Sequence, residues 1–410
     1  MRFFWIGAAE SAAVQYVLKK NALNASSLTY LALKEWFIEQ YIDYFSSGWC
    51  KALENVGYEV ELVFSNIELL QKKWCLENNI DGTKLSREEV LFLQIKKYRP
   101  DIVFVNDCSS VAFLKKIREE IHSIKLVLAW SGSALAVNPL LLDMWKEVDL
   151  IMCCAPEGVD YLNRNGANSV HINHAFFKSK IYEKDNVDIL VEKVTFIGNI
   201  IRANDFHMQR EKLLQQLGEK IPISMYTSSY YIGYSDIIKD LIKIGLYEIA
   251  HIMPEQIVDF IGKYSNTYRY ICSLQSKPRF SVNLKLKSLY RKPVYGLDML
   301  DVLHKSALVL NIHADSSPQY ASNMRLFEAT GVRSCLITDY RKNMSDLFEP
   351  DFEVVTYNSV DECIEKTRWL FNNPQKRYDI AYAGYLRCMK DHTYDNRAIQ
   401  LDNIIRQKLR

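Results

Sequence analysis

Short apolar runs recur along the first half of the chain, separated by longer stretches in which apolar residues return every three or four positions. The runs Arg2–Gly7, Tyr58–Ser65, Asp101–Asp107, Ile124–Ser131, Asp149–Ala155 and Ser169–Ala175 are rich in Val, Ile, Leu and Phe. That is the pattern of strands covered on both faces. Between them the spacing predicts helices over about Leu31–Val56, Arg87–Lys97, Val111–Ile121, Leu140–Lys146 and Glu157–Asn165. Alternation of this kind argues for a parallel, doubly wound sheet. Right-handed crossovers then gather the strand C-termini, and the loops after them, along one edge.

A second series begins near residue 193. Strands are predicted over Lys193–Gly198, Ile223–Ser228, Ala307–His313, Cys335–Asp339 and Glu353–Tyr357. Helices are predicted over about His207–Leu217, Ser235–Ile244, Met324–Thr330, Val360–Phe371 and Gln375–Lys390, with a terminal helix over Thr393–Leu409. The charged stretch Lys178–Asp188 reads as a linker. The expected fold is α/β, with one Rossmann-like domain over 1–180, a second over 190–392, a C-terminal helix over 393–410 and a cleft between facing strand ends. Small-molecule sites favour such a place. The Tyr-rich segment 246–295 fits the alternation poorly. It carries Lys277, Arg279, Lys285, Lys287, Arg291 and Lys292 with no acid between Lys277 and Lys292. It reads either as a solvated insertion or, through 277–292, as a surface for an anionic acceptor or a membrane face.

Composition narrows the function classes. At 410 residues the chain has room for two or three domains. Lys plus Arg number 51 against 49 Asp plus Glu, a net +2, without the basic excess of a nucleic-acid binder. Met1-Arg-Phe-Phe-Trp-Ile-Gly7 lacks the long apolar region and cleavage site of a signal peptide. No stretch approaches the roughly 18–20 uninterrupted apolar residues of a membrane span. A cytoplasmic protein, peripheral to the inner membrane face at most, is expected. The nine cysteines show no paired spacing and read as reduced thiols. Two facing doubly wound domains suit a transferase, a periplasmic binding protein or a dehydrogenase. The missing signal peptide weighs against the second. Gly7-Ala8-Ala9-Glu10-Ser11, which is not G-x-G-x-x-G, weighs against the third.

The most informative stretch runs Ala307-Leu-Val-Leu-Asn311-Ile-His313-Ala-Asp315, Ser316-Ser-Pro-Gln-Tyr320, then Ala321-Ser-Asn323-Met-Arg325-Leu-Phe-Glu328-Ala-Thr-Gly331. It reads as strand, polar loop and helix, with Ser322 or Asn323 as the capping residue. Amides at such a helix start suit a diphosphate. Arg325, two to three residues into the helix, would add a forked contact to phosphate. Glu328, on the same face, would accept two hydrogen bonds from a ribose diol. The bland alternative is a surface Arg325–Glu328 ion pair, with Asn311 and His313 as satisfied polar groups of a strand end.

Asn323–Gly331, Leu336–Asp339, Leu347–Pro350, Glu353–Tyr357 and His392-Thr-Tyr394 with Arg397 together resemble the C-terminal half of the CgeB-like glycosyltransferases, relatives of the group 1 GT-B enzymes. The resemblance is specific over about 306–397. Val194-Thr-Phe-Ile-Gly198 looks like the opening strand of a GT-B donor domain, and Arg99-Pro-Asp101 is a generic feature of the fold. The resemblance implies a nucleotide-sugar donor held by the second domain, with Gly198, Asn311, His313, Ser322, Asn323, Arg325 and Glu328 as donor-binding positions. Glu328 would hold the ribose, and Asn323 and Arg325 would face the diphosphate or sugar. A glycan or glycoconjugate acceptor would sit on the first domain, and the expected role is in bacterial surface polysaccharide synthesis. Neither a metal nor a separate cofactor is expected, and the nucleotide sugar is a substrate. The sequence departs from the family at Tyr320, where group 1 relatives often carry a second Glu, and at Arg333, where small residues are common.

An inverting transfer would also need a general base on the acceptor side. Glu10 after the first strand, Asp43 within Leu31–Val56 and Asp107 at the end of the third strand are the candidates. The bland alternatives are a helix-start charge for Glu10, a helix-surface charge for Asp43 and a helix cap for Asp107. His174, near the domain exit, reads as a satisfied strand-end histidine or a substrate contact. Two rival functions stand beside the transferase: a sugar-nucleotide epimerase of GT-B fold and a catalytically silent nucleotide-sugar-binding protein.

Overall fold

The computed structural model describes the chain except residues 22–26, 106–109, 133–138, 179–190, 201, 203–207, 266–267, 269, 272–273, 275–276 and 314–316. Two compact units emerge, one of Met1–Glu192 with Val294–Arg410 and one of Lys193–Pro293. The linker read at 178–188 falls almost entirely outside the described residues.

In the first unit, strands β1 (Arg2–Gly7), β2 (Glu59–Phe64), β3 (Ile102–Val105), β4 (Leu126–Ser131), β5 (Leu150–Cys153) and β6 (Ser169–His171) form one sheet in the order β2-β1-β3-β4-β5-β6. Every pairing in it is parallel. Phe3, Phe4, Trp5 and Ile6 of β1 are all buried, because helices cover both faces and leave no polar side to the central strand. Those helices are α1 (Ser11–Asn21), α2 (Tyr30–Glu39), α3 (Tyr44–Asn55), α4 (Glu68–Glu77), α5 (Arg87–Tyr98), α6 (Val111–Glu120), α7 (Pro139–Lys146) and α8 (Pro156–Arg164). Ser86 and Glu89 form a reciprocal capping box at the start of α5.

One expectation fails here. The single helix read over Leu31–Val56 is two, α2 and α3. Tyr41 between them takes a left-handed φ of 56°, which an α-helix cannot propagate, and Asp43 restarts the chain as the N-cap of α3. Helices α1 and α4 were also not read from the pattern. Both carry short, mixed apolar faces.

The second unit holds β7 (Val191–Ile197), β8 (Ile223–Tyr226) and β9 (Tyr290–Arg291), with β8 paired in parallel to both of the others. Its helices are α9 (Met208–Gly218), α10 (Tyr234–Ile252) and α11 (Glu255–Tyr264). The poorly fitting segment 246–295 is thus partly the end of α10, which runs past the predicted Ile244, and partly α11. The chain returns to the first unit with α12 (Gly296–His304), β10 (Ser306–Asn311), α13 (Arg325–Gly331), β11 (Leu336–Asp339), α14 (Met344–Leu347), β12 (Val355–Tyr357), α15 (Val360–Asn372), α16 (Pro374–Asp391) and α17 (Tyr394–Lys408). Strand β11 pairs in parallel with β10 and with β12.

Helix α17 closes the first unit. Its Tyr394, Ala398, Leu401 and Ile405 join Phe3, Trp5, Trp49 and Leu53 in one apolar core. Tyr58 donates to Asp402 Oδ1 at 2.8 Å, and Asn55 Nδ2 donates to Asp395 Oδ1 at 2.9 Å, fixing its register on α3 and β2.

Candidate active site

The ends of β10 and β11 are tied together by their own polar side chains. Asn311 Nδ2 donates to Thr338 Oγ1 at 2.9 Å, and Asn311 Oδ1 accepts from Asn323 Nδ2 at 2.9 Å. Asn311 is therefore a satisfied strand-end group. His313 is buried and meets Asp339 Oδ1 twice, through its backbone N–H at 3.0 Å and ring Nδ1 at 2.7 Å. Its Nε2 is buried with no hydrogen-bond partner among the described residues. The Nδ1 contact assigns the proton of a neutral ring to that nitrogen and leaves Nε2 as an acceptor. Arg341 Nη2 lies 2.7 Å from the other Asp339 oxygen. Burial pushes the Asp339 carboxyl up, but His313 and Arg341 outweigh it and hold it below its ordinary value.

The loop after β10 is braced at both ends. Ser317 Oγ donates to the Tyr320 carbonyl at 2.8 Å, and Ala321 exchanges bonds of 2.7 and 3.1 Å with the Asn343 amide. Tyr320 thus offers its backbone to the loop. Gln319 N donates to Glu157 Oε1 at 3.0 Å, anchoring the loop to the start of α8. The Ser322 hydroxyl meets the thiol of Cys154, just beyond β5.

Neither Ser322 nor Asn323 caps the next helix. The residue preceding α13 is Met324, and no side chain caps it. The reason is local: the Asn323 amide is drawn back to Asn311 Oδ1 and to the Ile312 carbonyl at 3.3 Å. Arg325 is therefore the first residue of a seven-residue helix, not its second or third.

Arg325 and Glu328 do face each other, and they do so inside the protein. Arg325 Nη1 lies 2.5 Å from Glu328 Oε2, with the two side chains 16% and 5% exposed. The surface-pair alternative does not hold. Arg325 Nη1 also reaches Met299 Sδ at 3.4 Å. The ion pair lacks hydrogen-bond geometry, so Glu328 Oε2 is a buried acceptor without a hydrogen-bonded donor among the described residues. Burial raises the Glu328 carboxyl, and Arg325 pulls it back only in part. Removing one member of such a pair costs about 3–5 kcal/mol, because the other charge stays buried alone.

Asp43 stands at the end of β1. Its Oδ1 accepts from Ser46 N at 3.1 Å, while Oδ2 is buried without a partner of hydrogen-bond geometry among the described residues. A Cβ on Gly7 would lie 3.2 Å from that Oδ2 and 3.0 Å from Ser46 Oγ, so glycine is what lets the α3 cap approach the strand end. Burial raises the Asp43 carboxyl to about 6, against the lowering effect of the Ser46 bonds and the Ala8 amide. Asp43 is a buried cap, not a helix-surface charge. The Tyr394 ring links it to the helix α13 pair: burial first, then Glu328 and Asp43, push the Tyr394 hydroxyl well up. The neighbouring Tyr44 hydroxyl donates to the Ala175 carbonyl at 2.9 Å.

The remaining candidates scatter. Glu10 is exposed and starts α1, its carbonyl accepting from Val14 N at 3.1 Å. Asp107 lies outside the described residues. Gly198 belongs to the second unit, where it follows β7 and its N–H bonds the Tyr226 carbonyl at 3.1 Å. His174 packs its ring on Trp130, with centroids 4.9 Å apart, and its buried Nδ1 has no partner among the described residues. Burial, then Arg397, lowers it to about 3. Arg333, in the left-handed region at φ 64°, lies over the rings of Tyr378 and Tyr382 at 5.0 and 4.6 Å. Sequence reasoning missed Asp339 as the partner of His313. It is an acid at a strand end, the same signal that singled out Asp107.

The motif His392-Thr-Tyr394 with Arg397 proves to be a clamp. His392 Nε2 meets the Leu347 carbonyl at 2.6 Å, Arg397 Nη2 meets His392 Nδ1 at 3.0 Å, and Arg397 Nε donates to the Asn173 carbonyl at 3.2 Å.

Residues 266–403 match the model of a family described as glycosyl transferase-like. The fold is that of the GT-B glycosyltransferases. Solved structures agree on the architecture. HepE from Anabaena, solved with UDP-glucose, is 10% identical, with 99% of this chain and 100% of that chain covered at a TM-score of 0.52. An alpha-glucosyltransferase solved with UDP-glucose and DNA containing an abasic site is 12% identical, with 98% of each chain covered at a TM-score of 0.52. No protein of curated function matches the sequence. The matched segment contains His313, Arg325, Glu328 and Asp339, whereas Asp43 and Glu10 lie outside it. Among the described residues, no group of three or more His, Cys, Asp and Glu gathers as metal ligands, and no helix is long and apolar enough to cross a membrane.

Proposed function

We propose that the chain moves a sugar from a nucleotide-sugar donor to a glycan or glycoconjugate acceptor at the cytoplasmic side of a membrane, in the making of surface polysaccharide. The observation that carries this reading is Glu328, a buried carboxylate held beside Arg325 whose Oε2 has no hydrogen-bonded donor among the described residues. A ribose diol supplies hydrogen-bond donors to such a carboxylate. That both solved structures of the same fold contain UDP-glucose supports the donor class.

In the reaction the acceptor oxygen bonds to the sugar's anomeric carbon as the bond to the nucleotide phosphate breaks, and the phosphate leaves with the electron pair. Charge grows on the leaving group, and stabilising it is usually the largest catalytic contribution. Arg325 supplies a cation for it, and the transfer is proposed to run without a divalent metal. On the acceptor side Asp43 is the base: a carboxyl raised to about 6 is mostly ionised at neutral pH yet basic enough to take the hydroxyl proton. Glu10, exposed and without a comparable setting, is the weaker candidate. A thermal-shift screen of UDP, GDP, dTDP, CMP and their sugars tests the reading. One base should raise the melting temperature of the wild type and leave Glu328→Gln unmoved.

A further inference from the structure

Helix α10 carries an apolar stripe turned to solvent. Tyr234, Ile238, Leu241, Ile242, Ile249 and Ile252 recur at helical spacing and are all exposed, Ile252 to 84%. A helix of this length extends about 28 Å. Helix α11 continues the surface with exposed Ile257, Phe260 and Tyr264. Isolated exposed apolar residues need no explanation, but a contiguous face of this kind marks a docking surface.

We infer that the α10–α11 face docks on an anionic lipid bilayer, lying in the interface plane. This stands independently of the donor chemistry. Charge argues for that occupant. Residues 193–293 hold fifteen Lys and Arg against eight Asp and Glu, a net +7 in a chain whose total is +2. The acids on α10 are already answered within the unit. Asp236 accepts from Gly233 N at 3.1 Å and pairs with Lys239 at 3.2 Å. Asp240 takes the Ser281 N–H and hydroxyl, both at 2.7 Å, and Glu248 pairs with Lys277. An apolar stripe in a unit with an excess of cations is what an in-plane amphipathic helix presents to anionic headgroups. Tyrosines border it as they do at membrane interfaces: Lys243 Nζ lies 5.3 Å from the Tyr270 ring and Lys287 Nζ 5.3 Å from that of Tyr234.

The contact expected of 277–292 is thereby reassigned. Within that stretch Lys287 donates to the Ile232 carbonyl at 3.1 Å, and Arg291 donates to the Ser288 and Tyr290 carbonyls at 3.1 and 2.9 Å. These residues form a basic rim, and α10 with α11 supplies the apolar body.

The test is flotation of the full chain with vesicles of phosphatidylcholine alone and with added phosphatidylglycerol, at low and high salt. Binding should require the anionic lipid, weaken in salt, and fall about tenfold or more in the combined variant Ile238→Ser, Leu241→Ser, Ile249→Ser. Lys243→Glu with Lys285→Glu should lose the preference for anionic lipid. Each altered side chain is exposed or half-buried, so melting temperatures should hold. Equal flotation by wild type and triple variant would overturn the inference. So would light scattering that shows a dimer which the triple variant converts to a monomer, since the face would then belong to a second copy of the chain.

Discussion

Asp43 illustrates how one side chain can both start a helix and hold a reactive group. Its Oδ1 caps α3 while Oδ2 stays buried against Gly7. Asn keeps the cap acceptor but cannot take a proton, so Asp43→Asn should fold with a near-normal melting temperature and lose about 10²–10⁴ in kcat. Nucleotide binding should persist, and the wild-type kcat/KM profile should fall as pH drops below about 6. Full transfer activity in the variant, measured by release of the nucleotide product, would remove Asp43 from the reaction. The sequence showed the charge but not its setting, because an unbroken apolar periodicity hid the left-handed turn at Tyr41. Arg325 and Glu328 were legible as a pair from their i,i+3 spacing, but their burial was not. It comes from residues far away in the chain, among them Tyr44, Tyr394 and Met299.

At the scale of elements, the strand–helix alternation was readable because buried parallel strands have no polar face, and every strand predicted in the first half is present. What could not be read was which glycines sit at contacts. A Cβ on Gly48 in α3 would lie 2.4 Å from the Tyr394 ring, and one on Gly331 in α13 would lie 2.3 Å from the Phe176 ring. The family-like Ala-Thr-Gly331 and Thr393-Tyr394 segments thus have packing reasons. Phe176 N donates to the His392 carbonyl at 2.8 Å, and Tyr394 N to the Phe176 carbonyl at 3.1 Å, joining these same residues through the backbone. Gly48→Ala and Gly331→Ala should each destabilise by about 1–3 kcal/mol, since the crowding groups are rings fixed in the core. Gly245→Ala in α10, where a Cβ meets nothing within 4 Å, should be neutral or stabilising by about 0.5–1 kcal/mol. Apparent melting temperatures of the three variants check the contrast. A loss at Gly245 equal to that at Gly48 would contradict it.

For the whole molecule, acid is the revealing stress. Burial lowers His174 to about 3 and His392 to about 4, from an ordinary 6.5. Both therefore stay neutral in the folded chain while the unfolded chain takes up protons below 6.5. Stability falls with pH between about 6.5 and 4, by about 1.4 kcal/mol per unit for each histidine. Asp43 and Glu328, whose carboxyls are raised, act in the opposite sense as they gain protons in the folded state. Urea unfolding across this range should show a flatter pH slope for His174→Gln than for the wild type, by about 1.4 kcal/mol per unit. Parallel slopes would mean that His174 is protonated in the fold. The role of Glu328 in holding the nucleotide is tested by calorimetric titration of UDP, GDP and dTDP into wild type and Glu328→Gln. One base should bind the wild type saturably and the variant at least about tenfold more weakly, the cost of losing hydrogen bonds to a charged acceptor. Equal affinity in the folded variant, or a folded wild type that binds none of them, would show that Glu328 does not hold a nucleotide.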